Sequence, residues 1–397
     1  MASFKQENDL LKFSDFTLYK AKDDGISIGG FYKDQNQEKW LLKQGHYCAP
    51  EAIIKEYVAG GLYQLFLGDN APRTEMVIND FDHSLLTGSK LLDNFNTLSN
   101  YANYTYNEQT MSYSPYGCDF PMNINGKPLH GFMDAIWSIQ FIHDTDGHSG
   151  NVGLIDCGDH YNFAKIDHGF SFNFYNEQPT SLDDLRSHLN MFYQIDSLEQ
   201  VGFEEIYQGL THITSLDFSN IEALVSEKMS QVKTHMETLG LSDLFADFNA
   251  VQTGNLDTNI KNYETDLISH LKAEHQQFQK IADYMSLEKA IIDHDANTLF
   301  ELTSTQRVDL SEGFKPFYNP SYENTTGDYW WSWHLESKDV TGIELGQQYW
   351  PEVFNEVINM SDILTNTTHI TQVDTFNATP LIINPIQLVQ PMVVDCI

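Results

Sequence analysis

The sequence predicts an α+β protein. Three observations carry this: strand-like runs gather around one helix in the first ninety residues, a hairpin pattern follows at 152–167, and helical periodicity dominates beyond about residue 180.

Taken in order, "GISIGGFYK" reads as strand–turn–strand, with Gly29 and Gly30 supplying the turn. "EKWLLKQ" follows as a strand that sends Trp40 and Leu42 to one face and Leu41 and Lys43 to the other. "PEAIIKEYVAGGLYQLF" is helical: Pro50 suits the first turn, and Ile54, Val58, Leu62 and Leu65 form an apolar stripe. Gly60 and Gly61 each weaken that helix by about 1 kcal/mol relative to alanine, so close packing against another backbone is expected there. "GDNAP" ends the helix and "RTEMVI" resumes as a strand. Residues 95–128, polar and rich in Asn and Tyr, read as a linker or lobe insertion. "LHGFMDAIWSIQF" reads as a buried helix through Leu129, Phe132, Met133, Ile136 and Trp137. "VGLID" and "YNFAKID" are two short strands joined by "CGDH". Two long helices come next, in "NIEALVSEKMSQVKTHMETLG" and "IKNYETDLISHLKAEHQQFQKIADYM". After about residue 305 the chain is aromatic and β-prone, with Trp331 and Trp333 on one face of a strand, as core aromatics or as a membrane or partner contact.

The 397 residues suffice for two or three domains. Twenty-two basic residues against 56 acidic ones give a formal charge of −34, and arginine occurs only as Arg73, Arg186 and Arg307. Such a chain repels nucleic acid, which is excluded as a partner, and disfavours anionic lipid headgroups. Lys90, Lys127 and Lys165 are the lysines available for a local basic patch. Cys48, Cys118, Cys157 and Cys396 form no CxxC pair, which suits reduced thiols in a cytosol. The N-terminus lacks an apolar signal core and no run is long enough to span a bilayer. A cytoplasmic protein is expected, including one delivered into a host cell cytosol by a route that ignores N-terminal signals.

The densest chemistry lies in "HDTDGHSGNVGLI", residues 143–155. A calcium loop counted from Asp144 fails, because its sixth and twelfth positions are Ser149 and Ile155 rather than Gly and Glu. A zinc site from His143, His148, His160 and His168 matches no metalloprotease helix motif. A solvated turn without chemistry is the plain alternative. Phosphoryl transfer explains more of the loop: it needs a group to orient a hydroxyl and oxygen ligands to hold Mg²⁺ against phosphates. Asp146 and Asn151 stand five apart, a hairpin follows, and Asp167-His168-Gly169 closes it. The upstream partners occur in the required order: a glycine-containing hairpin at Gly29 and Gly30, a strand lysine, Lys43, and a helix carrying Glu56.

"DGHSGN" followed by "KIDHGFSF" resembles the DxHxxN and IDxG motifs of phosphatidylinositol 3/4-kinases, and "IIKEYVAGGLYQLFLGDNAP" is similar to the helix after the lysine strand in HipA-type kinases and kinase-like bacterial effectors. The resemblance covers roughly residues 20–175 and implies a bilobal protein-kinase-like fold with an added C-terminal helical and β-prone region. It implies an N-lobe over 1–94, a C-lobe over 95–240 and an accessory region over 241–397. It further implies ATP and Mg²⁺ as cofactors, with Lys43 on the phosphates beside Gly29 and Gly30, Glu56 aiming the lysine, Asp146 and His148 handling the substrate hydroxyl, and Asn151 and Asp167 binding the metal. The chain departs from the family where Gly147 replaces the usual arginine, and it lacks a G-x-G-x-x-G loop. A protein hydroxyl is the favoured acceptor, with a phosphoinositide as the alternative; a pseudokinase scaffold and AMP transfer also stay open. Similarity to effector kinases adds a host activator, and a membrane or partner contact through the C-terminal region.

Overall fold

A computed structural model describes residues 10–22, 28–45, 50–101, 105–107, 112–114, 123–124, 126–147, 150–173, 203–240, 255–314 and 340–354. The chain opens with β1 (Leu11–Lys12), a 3-10 turn (Phe13–Asp15), β2 (Thr17–Ala21), β3 (Gly29–Lys33) and β4 (Lys39–Lys43). Helix α1 (Pro50–Leu67), β5 (Thr74–Asn79) and β6 (Ser84–Lys90) follow. Among the described residues these strands form one sheet in the order β1-β5-β6-β4-β3-β2, antiparallel except where β1 runs beside β5. The alternation of β4 places Trp40 and Leu42 with Phe16, Val77 and Leu86 in a small core on one face. Met76 and Leu85 join α1 in the main core.

Gly29 and Gly30 do not form the turn. They are the first residues of β3, paired with Lys43 and Leu42, and neither has a positive φ. A Cβ on Gly29 would strike the carbonyl oxygen of Leu42 and lie 2.9 Å from Lys43 Cβ. Glycine therefore serves close approach of the two strands beside the lysine.

The second lobe begins with β7 (Phe95–Thr97), α2 (Leu98–Tyr101), the paired β8 (Thr105–Asn107) and β9 (Ser112–Ser114), then β10 (Asn123–Ile124) and β11 (Lys127–His130). Helix α3 (Phe132–Ile142) and the hairpin β12 (Val152–Asp156) and β13 (Tyr161–Lys165) complete its sheet, ordered β10-β11-β13-β12-β7. The stretch read as a linker thus supplies strands. Leu129 belongs to β11 rather than to the helix, because Gly131, at φ 72°, separates the two.

Among the described residues, α4 (Phe203–Thr214), α5 (Phe218–Leu239), α6 (Leu256–Ile292), α7 (Ala296–Ser304) and α8 (Gly342–Tyr349) follow. Asp217, Asn255 and Asp295 cap α5, α6 and α7 through their side-chain oxygens. In the stretch read as β-prone, a Thr341–Glu344 capping box starts α8. Trp331 and Trp333 lie outside the described residues. One apolar core joins α1, α3, α4, α5 and the first part of α6. The last part of α6 continues into a second cluster with Leu299, Leu302, Leu345 and Phe354.

Helix α1 is buried nearly all round rather than along one stripe: Ile53, Ile54, Tyr57, Val58, Leu62, Tyr63 and Phe66 are all inaccessible. It lies between the first sheet and helices α3 and α5. A mostly antiparallel sheet with one helix, a helical second lobe, and the β12–β13 hairpin opening toward their junction make a bilobal, protein-kinase-like α+β fold. No helix among the described residues is long and apolar enough to cross a membrane.

Candidate active site

The loop after α3 is built by its own backbone first. His143, at φ 52°, closes α3 in the left-handed conformation. Its Nε2 lies 3.0 Å from Oε1 of the buried Glu274 on α6, which pins the loop to the helical lobe. Asp144 then turns inward. Its Oδ1 accepts the Asp146 N–H at 2.9 Å, while its Oδ2 accepts the Tyr63 hydroxyl at 2.9 Å and lies 3.0 Å from Lys165 Nζ.

The five-residue spacing of Asp146 and Asn151 closes into a direct contact. Asn151 Nδ2 donates to the Asp146 main-chain oxygen at 3.0 Å and to its Oδ2 at 2.7 Å. With the amide nitrogen committed, the Asn151 oxygen is the group available as a hard ligand. The Ile166 N–H donates to the Asn151 carbonyl at 2.8 Å, and Val152 pairs with Lys165. Asn151 and Asp167 therefore leave the same end of the hairpin.

Asp167 sits at φ 56°, a conformation that costs a non-glycine residue on the order of 1–3 kcal/mol. Its Oδ1 lies 2.6 Å from Lys43 Nζ, and Lys43 Nζ lies 2.9 Å from Glu56 Oε1. Lys43 is only 4% exposed and Glu56 2%. Burial opposes the lysine charge, but Glu56 and Asp167 outweigh it and raise the Lys43 pKa above its ordinary value. Burial likewise opposes ionisation of Asp167, and Lys43 overrides it, holding that carboxyl below the usual range. Lys43 and Asp167 thus stay ionised across the neutral range. His168 is fully buried, stacked on Tyr63 at 4.3 Å; burial, and then Lys165, keep its pKa well below the usual histidine value.

The structure accordingly brings together Lys43, Glu56 and Asp167, with Gly29 beside the lysine and Gly30 one residue on, and separately joins Asp146 to Asn151. His148 lies outside the described residues. The zinc alternative gains no support: no three His, Cys, Asp or Glu side chains gather among the described residues. His143 lies against Glu274 and His160 against Asp159, while His168 is stacked on the Tyr63 ring with no two further His, Cys, Asp or Glu side chains gathered around it among the described residues. Nor do the three lysines form a patch, since Lys90 pairs with Glu38, Lys127 with Asp156, and Lys165 is buried against Asp144.

The donor set fits Mg²⁺. One carboxylate and one amide oxygen at a hairpin end, with a second carboxylate close by, make an incomplete hard-oxygen site of the kind that substrate phosphates finish. Tyr63, Asp144, Lys165 and Glu274 are the supporting residues that sequence reasoning did not single out as a group. A signal for Lys165 existed. It stands in step with Tyr161 and Phe163 along β13, on the face that is buried.

Two curated relatives match part of the chain. An uncharacterized protein from Rickettsia conorii is 26% identical over 278 residues, covering 63% of this chain and 36% of the relative. One from Rickettsia prowazekii is 27% identical over 239 residues, covering 53% and 37%. The chain thus spans about a third of the length of the relatives it matches. Among solved structures, the Helicobacter pylori proinflammatory kinase CtkA is 14% identical, covers 66% of this chain and 96% of its own, and gives a TM-score of 0.39. The Drosophila melanogaster PAN3 pseudokinase is 12% identical, covers 88% and 100%, and gives 0.26. The model of the LepB N-terminal domain matches residues 77–295, more than half of the sequence and all of the loop and hairpin just described, and the chain belongs to that family.

Proposed function

We propose that this chain is an ATP- and Mg²⁺-dependent phosphotransferase acting on a hydroxyl group, with a protein as the acceptor. The observation that carries the proposal is Lys43 Nζ held between Glu56 at 2.9 Å and Asp167 at 2.6 Å, across 124 residues of sequence. A buried lysine aimed by a buried carboxylate at the metal-binding end of a hairpin is what phosphate binding needs. Lys43 contacts the nucleotide phosphates and Glu56 holds it in place. Asn151 and Asp167 would hold Mg²⁺, which when bound would supply charge neutralisation for the transferred phosphoryl group. Asp146, its carboxylate fixed by Asn151, orients the acceptor hydroxyl and takes its proton, assisted by His148.

The Asp146-x-His148-x-x-Asn151 spacing favours a second acceptor class, the phosphoinositides. A charge of −34, and the pairing of Lys90, Lys127 and Lys165 with carboxylates, support the protein acceptor over an anionic headgroup. Action in a host cytosol, aided by a host activator, belongs to the same proposal and rests on the resemblance to effector kinases.

The test is transfer from ATP labelled at the γ or the α phosphate, with Mg²⁺, host-cell lysate and phosphoinositide vesicles supplied as acceptors. Label from the γ position should appear on protein and vanish in Asp167→Ala and in excess EDTA. Label from the α position would make the reaction AMP transfer. Undiminished labelling by Asp167→Ala would sink the proposed site.

A further inference from the structure

The site proposed above needs two segments in register: the loop carrying Asp146 and Asn151, and the hairpin end carrying Asp167. A buried ion pair joins them. Lys165 is 0% exposed and Asp144 1%. Lys165 Nζ lies 3.0 Å from Asp144 Oδ2 and donates to the carbonyl oxygens of Ile166 at 2.8 Å and Asp167 at 2.7 Å. An ammonium has three N–H donors, and all three are spent. Asp144 in turn accepts the Asp146 N–H through Oδ1 and the Tyr63 hydroxyl through Oδ2. His168 stacks flat on Tyr63 and helps to close the pocket from water.

Stability alone does not explain the pair. Apolar side chains of similar volume in place of a buried ion pair are often neutral or stabilising. What they cannot do is hydrogen-bond. Here each ion reaches the main chain of a site residue, Lys165 at Asp167 and Asp144 at Asp146. We infer that Lys165 and Asp144 are positioning residues for the metal–nucleotide site, an inference that rests on the phosphotransferase reading. Lys165 fixes the Asp167 carbonyl, and with it the left-handed backbone that aims the carboxylate. Asp144 fixes the Asp146 peptide. Tyr63 stands on α1 seven residues after Glu56, so the same contact ties the Lys43–Glu56 pair to the catalytic loop.

Binding of a fluorescent ATP analogue, with and without Mn²⁺, reads the site without turnover. The variants are Lys165→Met and the double Asp144→Asn, Lys165→Met. Both should weaken the Mn²⁺-dependent part of binding by about tenfold or more, the size usual for residues that orient metal ligands. Metal-free binding through Lys43 should change by less than about threefold. The double variant carries no lone buried charge, so its melting temperature should recover toward wild type while its metal affinity does not. If Lys165→Met is too unstable to purify, the double variant carries the test. Metal affinity that recovers together with stability, or wild-type affinity in a folded Lys165→Met, overturns the positioning role. A wild-type protein that binds no Mn²⁺–nucleotide overturns the phosphotransferase reading instead.

Discussion

Lys43 has two carboxylates within hydrogen-bonding distance and almost no water around it. Its removal has a structural consequence besides any loss of phosphate binding. Lys43→Ala strips the cation from Glu56, whose carboxyl pKa burial already pushes up, so Glu56 must take a proton or stand as an uncompensated charge; breaking a buried pair in this way costs about 3–5 kcal/mol. Asp167→Ala leaves Lys43 still paired with Glu56 at 2.9 Å, so no buried charge is stranded and the loss of stability should be smaller than in Lys43→Ala. Urea denaturation of the two variants separates the cases. Equal stability of Lys43→Ala and wild type would mean that Glu56 is not the buried partner described. Loss of activity is thus a cleaner signal of phosphate-site chemistry in Asp167→Ala than in Lys43→Ala.

Helix α1 shows how an element can carry two weak residues at opposite consequence. Gly60 faces Thr74 on β5, and an added Cβ would lie 2.5 Å from the Thr74 Cβ. Gly61 faces Cε of Lys228 at 2.9 Å, the far end of a flexible side chain whose Nζ sits 4.1 Å from the Tyr57 ring centroid. Alanine gains about 1 kcal/mol of helix propensity at either position. At Gly60 that gain is outweighed by overpacking of about 1–3 kcal/mol, whereas the lysine at Gly61 can move aside. Gly60→Ala should therefore lower the melting temperature and Gly61→Ala should leave it level or raise it. The reverse order would refute this packing of α1 between β5 and α5. The neighbours are side chains from two different elements, not another backbone as the sequence alone suggested.

Charge acts on the whole molecule, and its clearest local expression is where α4 meets α3. Burial, and then the nearby Asp134, push the Glu205 carboxyl up to about 6. Glu205 therefore keeps its proton in the folded state at pH values where the unfolded chain has lost it. The stabilisation is complete below the ordinary value of about 4.5 and is lost as pH rises through about 6. Glu205→Gln removes this loss. Between pH 5 and pH 8 the wild type should lose more stability than Glu205→Gln, by less than about 1 kcal/mol once solvent screening of a half-exposed group is allowed for. Melting curves of both proteins at the two pH values give the difference. Parallel behaviour would show that Glu205 ionises on folding as it does in the unfolded chain.

The sequence by itself determined the α+β class, the order of the site residues and most elements. β4, β5, the β12–β13 hairpin and the two long helices follow from local patterns of alternation, helical period and capping, which need no distant partner. The five-residue spacing of Asp146 and Asn151 was legible for the same reason, whereas the hydrogen bonds from Asn151 to Asp146 appear only in the folded loop. Tertiary structure decided the rest. Whether Gly29 and Gly30 turn or extend depends on the strand beside them, and Lys43 lies there. Whether α1 has one apolar face or two depends on α5 docking against it from more than 150 residues away. Lys165 read as a surface cation although its alternation with Tyr161 and Phe163 marked the inward face of β13; only packing made it the partner of Asp144. A local pattern specifies a strand or a helix; which buried charge meets which carboxylate is fixed only when the elements pack and water is excluded between them.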